Sequence, residues 1–174
     1  MHHALTPLLL LVGLACGPPE SERRPLHETW PDGGVKCVGT EIRLDGEWVK
    51  DGGVVFHRED GTQSAAGTYH LGLESGPWTE WLEDGSRAEG QYVEGLRSGP
   101  WTYWHANGAE QEAGAYEAGK RTGPWTWWYE RGGKREESLY ANGERWGLVT
   151  YWKPDGALDP ERSGFFEAGV KVRN

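Results

Sequence analysis

The chain has 174 residues, with 18 Lys and Arg against 27 Asp and Glu, a formal net charge of −9. That length is about one domain, and an acidic surface argues against non-specific binding to nucleic acid or anionic lipid, which needs a basic face. Aliphatic residues are sparse enough for composition alone to read as disorder, yet the chain carries 11 Trp and 7 Tyr. Each such ring can bury roughly 150–250 Å². The expected core is therefore aromatic, of a kind suited to thin β-sheet.

The run Leu8-Leu9-Leu10-Leu11-Val12-Gly13-Leu14-Ala15 is too short to span a bilayer and fits the apolar part of a secretory signal. Gly17-Pro18-Pro19 follows at once and would stop a helix. Small Ala15 directly before Cys16 resembles the lipobox of bacterial lipoproteins. The resemblance implies a signal peptide over residues 1–15 and a Cys16 thioether-linked to diacylglycerol. It places the folded part in the bacterial cell envelope, in the periplasm or at the cell surface. Gly17 in place of Asp leans toward the outer membrane. An ordinary secretory signal is the alternative. Residues 16–29 then read as the lipidated Cys and a polar, Pro-containing tether. The other cysteine, Cys37, would have no intrachain partner. Its readings are a small buried apolar residue, an intermolecular disulfide or a nucleophile, and without lipidation a Cys16–Cys37 disulfide becomes available.

Residues 30–66 read as a diverged repeat region, with Val54, His57 and Asp60-Gly61 near the phase of the later units. Residues 67–163 hold four clear copies. Gly-Pro-Trp-Thr occurs at 76–79, 99–102 and 123–126, with a degraded copy, Gly147-Leu148-Val149-Thr150, 24 residues on. A second Trp keeps step at Trp81, Trp104, Trp128 and Trp152, and an upstream ring at Tyr69, Tyr92, Tyr116 and Tyr140. A turn Gly keeps step at Gly85, Gly108, Gly132 and Gly156. Self-similarity at a fixed period means a repeat architecture. Residues 164–174, opening Gly164-Phe165-Phe166, form a terminal half-unit.

Each unit alternates two short runs with two turn signals. A strand ends near Val93, residues 94–99 are expected as a loop, and Pro100 opens a strand through Trp101-Thr102-Tyr103-Trp104. Asn107-Gly108 marks a hairpin turn. One unit is then one β-hairpin. The expected fold is all-β, an elongated antiparallel meander of tandem hairpins with a period of about 24 residues. Gly or Pro every few residues excludes a helix. Twenty-four residues are too few for a four-stranded propeller blade.

The pattern Gly-x-Tyr-x-x-Gly followed by Gly-Pro-Trp-Thr-x-Trp resembles the MORN repeat, in its bacterial variant. The resemblance implies a single-layer hairpin sheet with a binding or scaffolding role. Some bacterial members carry an antitoxin label, which an envelope lipoprotein does not fit.

Side chains alternate along a strand. The constant row Trp81, Trp104, Trp128 and Trp152 is expected to pack between repeats with the row Tyr69, Tyr92, Tyr116 and Tyr140. The intervening row varies, as Glu80, Tyr103, Trp127 and Tyr151, and variation points to exposure. Tyr103, Trp127 and Tyr151 are thus the candidate binding face, either as a contact surface or, in the blander reading, as cover for the sheet's second face. Gly90 is expected to leave room for a neighbouring ring.

No His or Cys spacing fits a metal site, and no nucleophile elbow, P-loop or dinucleotide fingerprint occurs. Neither a catalytic residue nor a cofactor or metal is expected. The sequence thus points to a non-catalytic, membrane-anchored scaffold for an unknown protein partner. A cell-wall or glycan-binding module using aromatic rows is the alternative, and an antitoxin-like protein the third reading. An enzyme ranks last.

Overall fold

The computed structural model of the protein describes residues 22–173. Cys16 and the segment read as its signal peptide lie outside these residues. The described residues form β1 (Arg23–Thr29), β2 (Val35–Leu44), β3 (Glu47–His57), β4 (Gln63–His70), β5 (Leu73–Trp81), β6 (Arg87–Val93) and β7 (Leu96–Trp104). There follow β8 (Glu110–Glu117), β9 (Lys120–Trp128), β10 (Lys134–Ala141), β11 (Glu144–Arg145), β12 (Gly147–Tyr151), β13 (Gly164–Glu167) and β14 (Val170–Arg173). They make one open antiparallel sheet in chain order, with β11 a short partner of β10. This is the meander of consecutive hairpins that the repeat predicts.

Two turn types alternate. At one end of the strands sit two-residue turns, such as Glu94-Gly95 and Ala118-Gly119, in which both residues have positive φ (50° and 77°, 46° and 78°). That is the I′ geometry whose twist matches paired strands. The turn glycine also joins hairpins: Gly95 N–H donates to Glu74 O at 2.9 Å, and Gly119 N–H to Arg97 O at 2.9 Å. At the other end, five-residue turns close through bonds such as His105 N–H to Ala109 O, 2.8 Å. There Asn107 Oδ1 accepts from Ala109 N–H at 2.9 Å, and Asp60 and Asp84 accept likewise from Thr62 and Ser86. These hydrogen bonds, led by those from the Thr62 and Ser86 side chains, hold both carboxyls below the usual carboxylate range.

The turns correct one expectation. Residues 94–99 are no loop, because Glu94-Gly95 turns in two residues and β7 begins at Leu96. What resembles a loop signal is a bulge inside the strand. Glu89 pairs with Thr102 but Gln91 pairs with Ser98, so residues 99–101 all face Gly90. Gly99 takes φ 65° there, a conformation that suits Gly, and Pro100 sits where a lost N–H does no harm.

The bulge lays Trp101 flat over Gly90. A Cβ on Gly90 would lie 2.2 Å from the Trp101 ring, and Gly67 and Gly114 meet Trp78 and Trp125 in the same way, at 1.8 and 2.2 Å. The expected room at Gly90 is therefore real, and Trp101 fills it with 1% of its surface exposed. In the last full unit the pair becomes Ser138 and Val149, both buried. In the first it is Gly39 against Val54.

Residues 23–29, expected within a tether, form edge strand β1. Leu26 packs into a buried cluster with Cys37 and Val54. Arg23 and Arg24 pair with Asp51 and Glu41 at 2.7 and 2.5 Å. One apolar residue and two placed charges make a strand of a segment whose composition reads as linker. Cys37 is fully buried, and burial pushes its thiol pKa up, as for an inert core residue.

Candidate functional site

The sheet has two unlike faces. On the first, rings alternate in an edge-to-face series: Tyr69–Trp78 5.4 Å, Trp78–Tyr92 5.5 Å, Tyr92–Trp101 5.3 Å, Trp101–Tyr116 6.0 Å and Tyr116–Trp125 5.1 Å between centroids. Such pairs attract beyond their buried area. The Tyr69, Tyr92, Tyr116 and Tyr140 row does pack between repeats, as expected, but against Trp78, Trp101 and Trp125. Trp81, Trp104, Trp128 and Trp152 are not part of this packing. Trp104 is three residues from Trp101, so the alternation of a strand turns it to the other face.

Each later unit lays an arginine on its rings. The Arg97 guanidinium carbon lies 4.4 Å from the Trp101 centroid, and that of Arg121 lies 4.1 Å from Trp125. Arg97 binds Glu80 at 2.8 Å and donates to the Tyr103 hydroxyl at 3.0 Å. Arg121 grips both Glu112 oxygens at 2.8 and 2.9 Å, and Arg145 pairs with Glu136 at 2.8 Å. The acid moves between strands: Glu80 lies on the same row as Tyr103 and Trp127, whereas Glu112 and Glu136 pair across from Tyr103, Trp127 and Tyr151.

That exchange explains why the row Glu80, Tyr103, Trp127, Tyr151 varies, and it corrects the expectation of exposure. Trp127 and Tyr151 are 5% and 7% exposed. Tyr103 is half-buried, with its hydroxyl 3.0 Å from that of Tyr116. Burial first, then this hydrogen bond, pushes the Tyr103 pKa far up. Variation here records a repacked ion pair. The sequence reading missed the arginines, although Arg97, Arg121 and Arg145 recur every 24 residues.

On the second face, Trp81, Arg87 and Trp104 are cross-strand neighbours. Trp81, Trp104, Trp128 and Trp152 are all half-buried. Arg87 lies 4.4 Å over Trp104, and Lys134 lies 5.9 Å over Trp152. The turns beside this row are stitched to it: His105 Nε2 lies 3.2 Å from Trp128 O, and Tyr129 donates to Trp152 O at 2.7 Å. Arg58 donates to Trp81 O. Near Trp81 an open groove of about 1090 Å³ is lined by Trp30, Arg58, Gln63 and several carboxylates.

Farther toward the chain's end the same face carries an apolar strip. Pro124 pairs with Leu139, and Leu148 with Phe165. Leu148 is 62% exposed and the nearby Trp146 51%. The position of Leu139 is held by Gln91 in the second clear copy, and that of Leu148 by Pro in the first three. Among the described residues, no group of three or more His, Cys, Asp or Glu side chains is placed to hold a metal ion. No protein-family model matches the chain, and no curated protein matches it either.

Proposed function

We propose that the protein is a non-catalytic interaction scaffold of the bacterial cell envelope, a MORN-like sheet tethered through a lipidated Cys16 and docking a protein partner. The observation that carries the docking is the exposed strip of Pro124, Leu139 and Leu148, with half-buried Phe165 at its end and exposed Trp146 beside it. Exposed contiguous apolar surface marks contact sites in soluble domains. At the Leu139 position the other clear copies carry Thr68, Gln91 and Ala115, and at the Leu148 position they carry Pro, so the strip is not a requirement of the repeat. The rigid Arg-on-Trp face beneath supplies a preformed platform, which limits the ordering cost of binding. The glycan alternative drawn on Tyr103, Trp127 and Tyr151 loses its support, because two of those rings are buried.

A photo-crosslinker placed at Leu148 in the anchored protein tests this in intact cells. One discrete protein adduct is expected, lost on Leu139→Glu, with none from the same crosslinker at Thr79. The absence of any adduct at Leu148 overturns the docking. For the anchor, Cys16→Ser is expected to move the protein from the membrane to the soluble fraction.

A further inference from the structure

We propose that the groove beside Trp81 binds a β-1,4-linked glycan strand, which continues over Trp104, Trp128 and Trp152. The site is separate from the apolar strip, and neither the strip nor the lipid anchor enters the argument.

The groove has the chemistry that sugars need. Trp30 and Trp81 supply flat apolar rings, and Gln63, Glu59, Asp60 and Glu83 line the space between them. Pyranose rings present apolar C–H faces to indoles and hydroxyl pairs to carboxylates and amides, so ring plus planar polar group suits them. Three carboxylates disfavour a polyanion. Arg58 offsets part of this charge while its guanidinium is held by Thr62 at 3.1 Å, by Gln63 O at 2.8 Å and by Trp81 O, and three carboxylates against one arginine leave the groove net negative. A neutral hydroxyl-rich chain matches that charge. The Trp30 indole N–H is also buried with no hydrogen-bond partner among the described residues.

The row fixes the linkage. Successive Trp residues stand one hairpin apart, about 10 Å for two strand spacings. In an extended β-1,4-linked chain every second sugar presents the same face, and the disaccharide repeat has a closely similar length. One indole would therefore meet each disaccharide in the same orientation, so a hexasaccharide, with three disaccharides, would cover Trp81, Trp104 and Trp128, and a longer chain would go on to Trp152. An α-1,4-linked chain curves and loses this register. Arg87 and Lys134, over two of the rings, are about half exposed and paired with surface carboxylates. Such surface pairs are readily displaced.

Calorimetric titration of the full chain in detergent with chitobiose, chitotetraose, chitohexaose and maltohexaose tests the proposal. Chitohexaose is expected to bind at least about tenfold more tightly than chitobiose, and maltohexaose not to bind. Trp128→Ala should return hexaose affinity toward that of the tetraose, and Glu83→Gln, which leaves the sheet's packing intact, should weaken every oligomer. Leu148→Glu should change nothing, which separates this site from protein docking. No binding of chitohexaose, equal affinity for dimer and hexamer, or equal binding of maltohexaose overturns it. So does hexaose affinity unchanged in both Trp128→Ala and Glu83→Gln, with circular dichroism showing both variants folded.

Discussion

Gly90→Ala puts one methyl where the structure has no room. Its carbon would lie 2.2 to 2.5 Å from three atoms of the Trp101 indole. Trp101 cannot retreat: Tyr92 and Tyr116 stand at 5.3 and 6.0 Å, and Arg97 covers it at 4.4 Å. Gly90 has no positive φ, so the backbone itself would favour Ala by about 0.4–1 kcal/mol. Overpacking of a rigid core opposes this by about 1–3 kcal/mol or somewhat more, and overlap this deep belongs at the upper end. The net expectation is a loss of about 2–3 kcal/mol, or roughly 4–12 °C in Tm for a chain of this length. Urea unfolding followed by circular dichroism measures it. Gly53→Ala is the control, since a Cβ there meets nothing within 4 Å, and it should be neutral or stabilising. The repeat contains its own compensation in Ser138 and Val149. Trp101→Val alone should cost about 3 kcal/mol, yet Gly90→Ser with Trp101→Val should cost less than the two singles together, by more than about 1 kcal/mol. A neutral Gly90→Ala, or additivity within about 0.5 kcal/mol, refutes ring-over-glycine packing as the source of cohesion.

Arg121→Met removes the guanidinium over Trp125 and strands Glu112, whose side chain is only 13% exposed. A loss of about 2–3 kcal/mol is expected, largely recovered in Arg121→Met with Glu112→Gln, as read by thermal melting. Ala118 occupies φ 46°, which Asn tolerates better, and Asn142-Gly143 already fills the next such turn. Ala118→Asn should therefore stabilise by about 0.5–1 kcal/mol in the same melt. Burial foremost raises the pKa of Tyr69, Tyr92, Tyr103 and Tyr151. Their protonated forms thus support the fold fully below the unfolded value of about 10, and that support falls as pH rises beyond it. Absorbance at 295 nm should show these hydroxyls ionising together with loss of the sheet, and their separate titration in an intact sheet would count against the packing. Cys37 should react with a thiol reagent only on unfolding.

The hairpin series is legible in the sequence because turns and ring spacing are local: Gly-x-Tyr, Gly-Pro-Trp and Asn-Gly each act within a few residues. The choice of face is not, because it depends on how many residues the Gly99 bulge inserts, and a single strand's alternation does not state that count. Constancy of the Trp104 row and variation of the Tyr103 row suggest burial and exposure, yet both signals carry a different cause. Glu80, Glu112 and Glu136 occupy different strands while serving arginines at one repeat position, so side chains around them vary in order to keep one ion pair per unit. The row Trp78, Trp101 and Trp125 recurs because a ring must cover Gly67, Gly90 and Gly114, and it lapses at Val149, where Ser138 replaces the glycine. Trp104 faces away from that core and belongs neither to the ring series nor to the Arg97 and Arg121 ion pairs, although Arg87 lies over it on its own face. A half-buried indole kept through four units outside the ring core is the feature that the ring series and its ion pairs leave over, and that surplus points to the Trp81–Trp152 side of the sheet as the candidate ligand face.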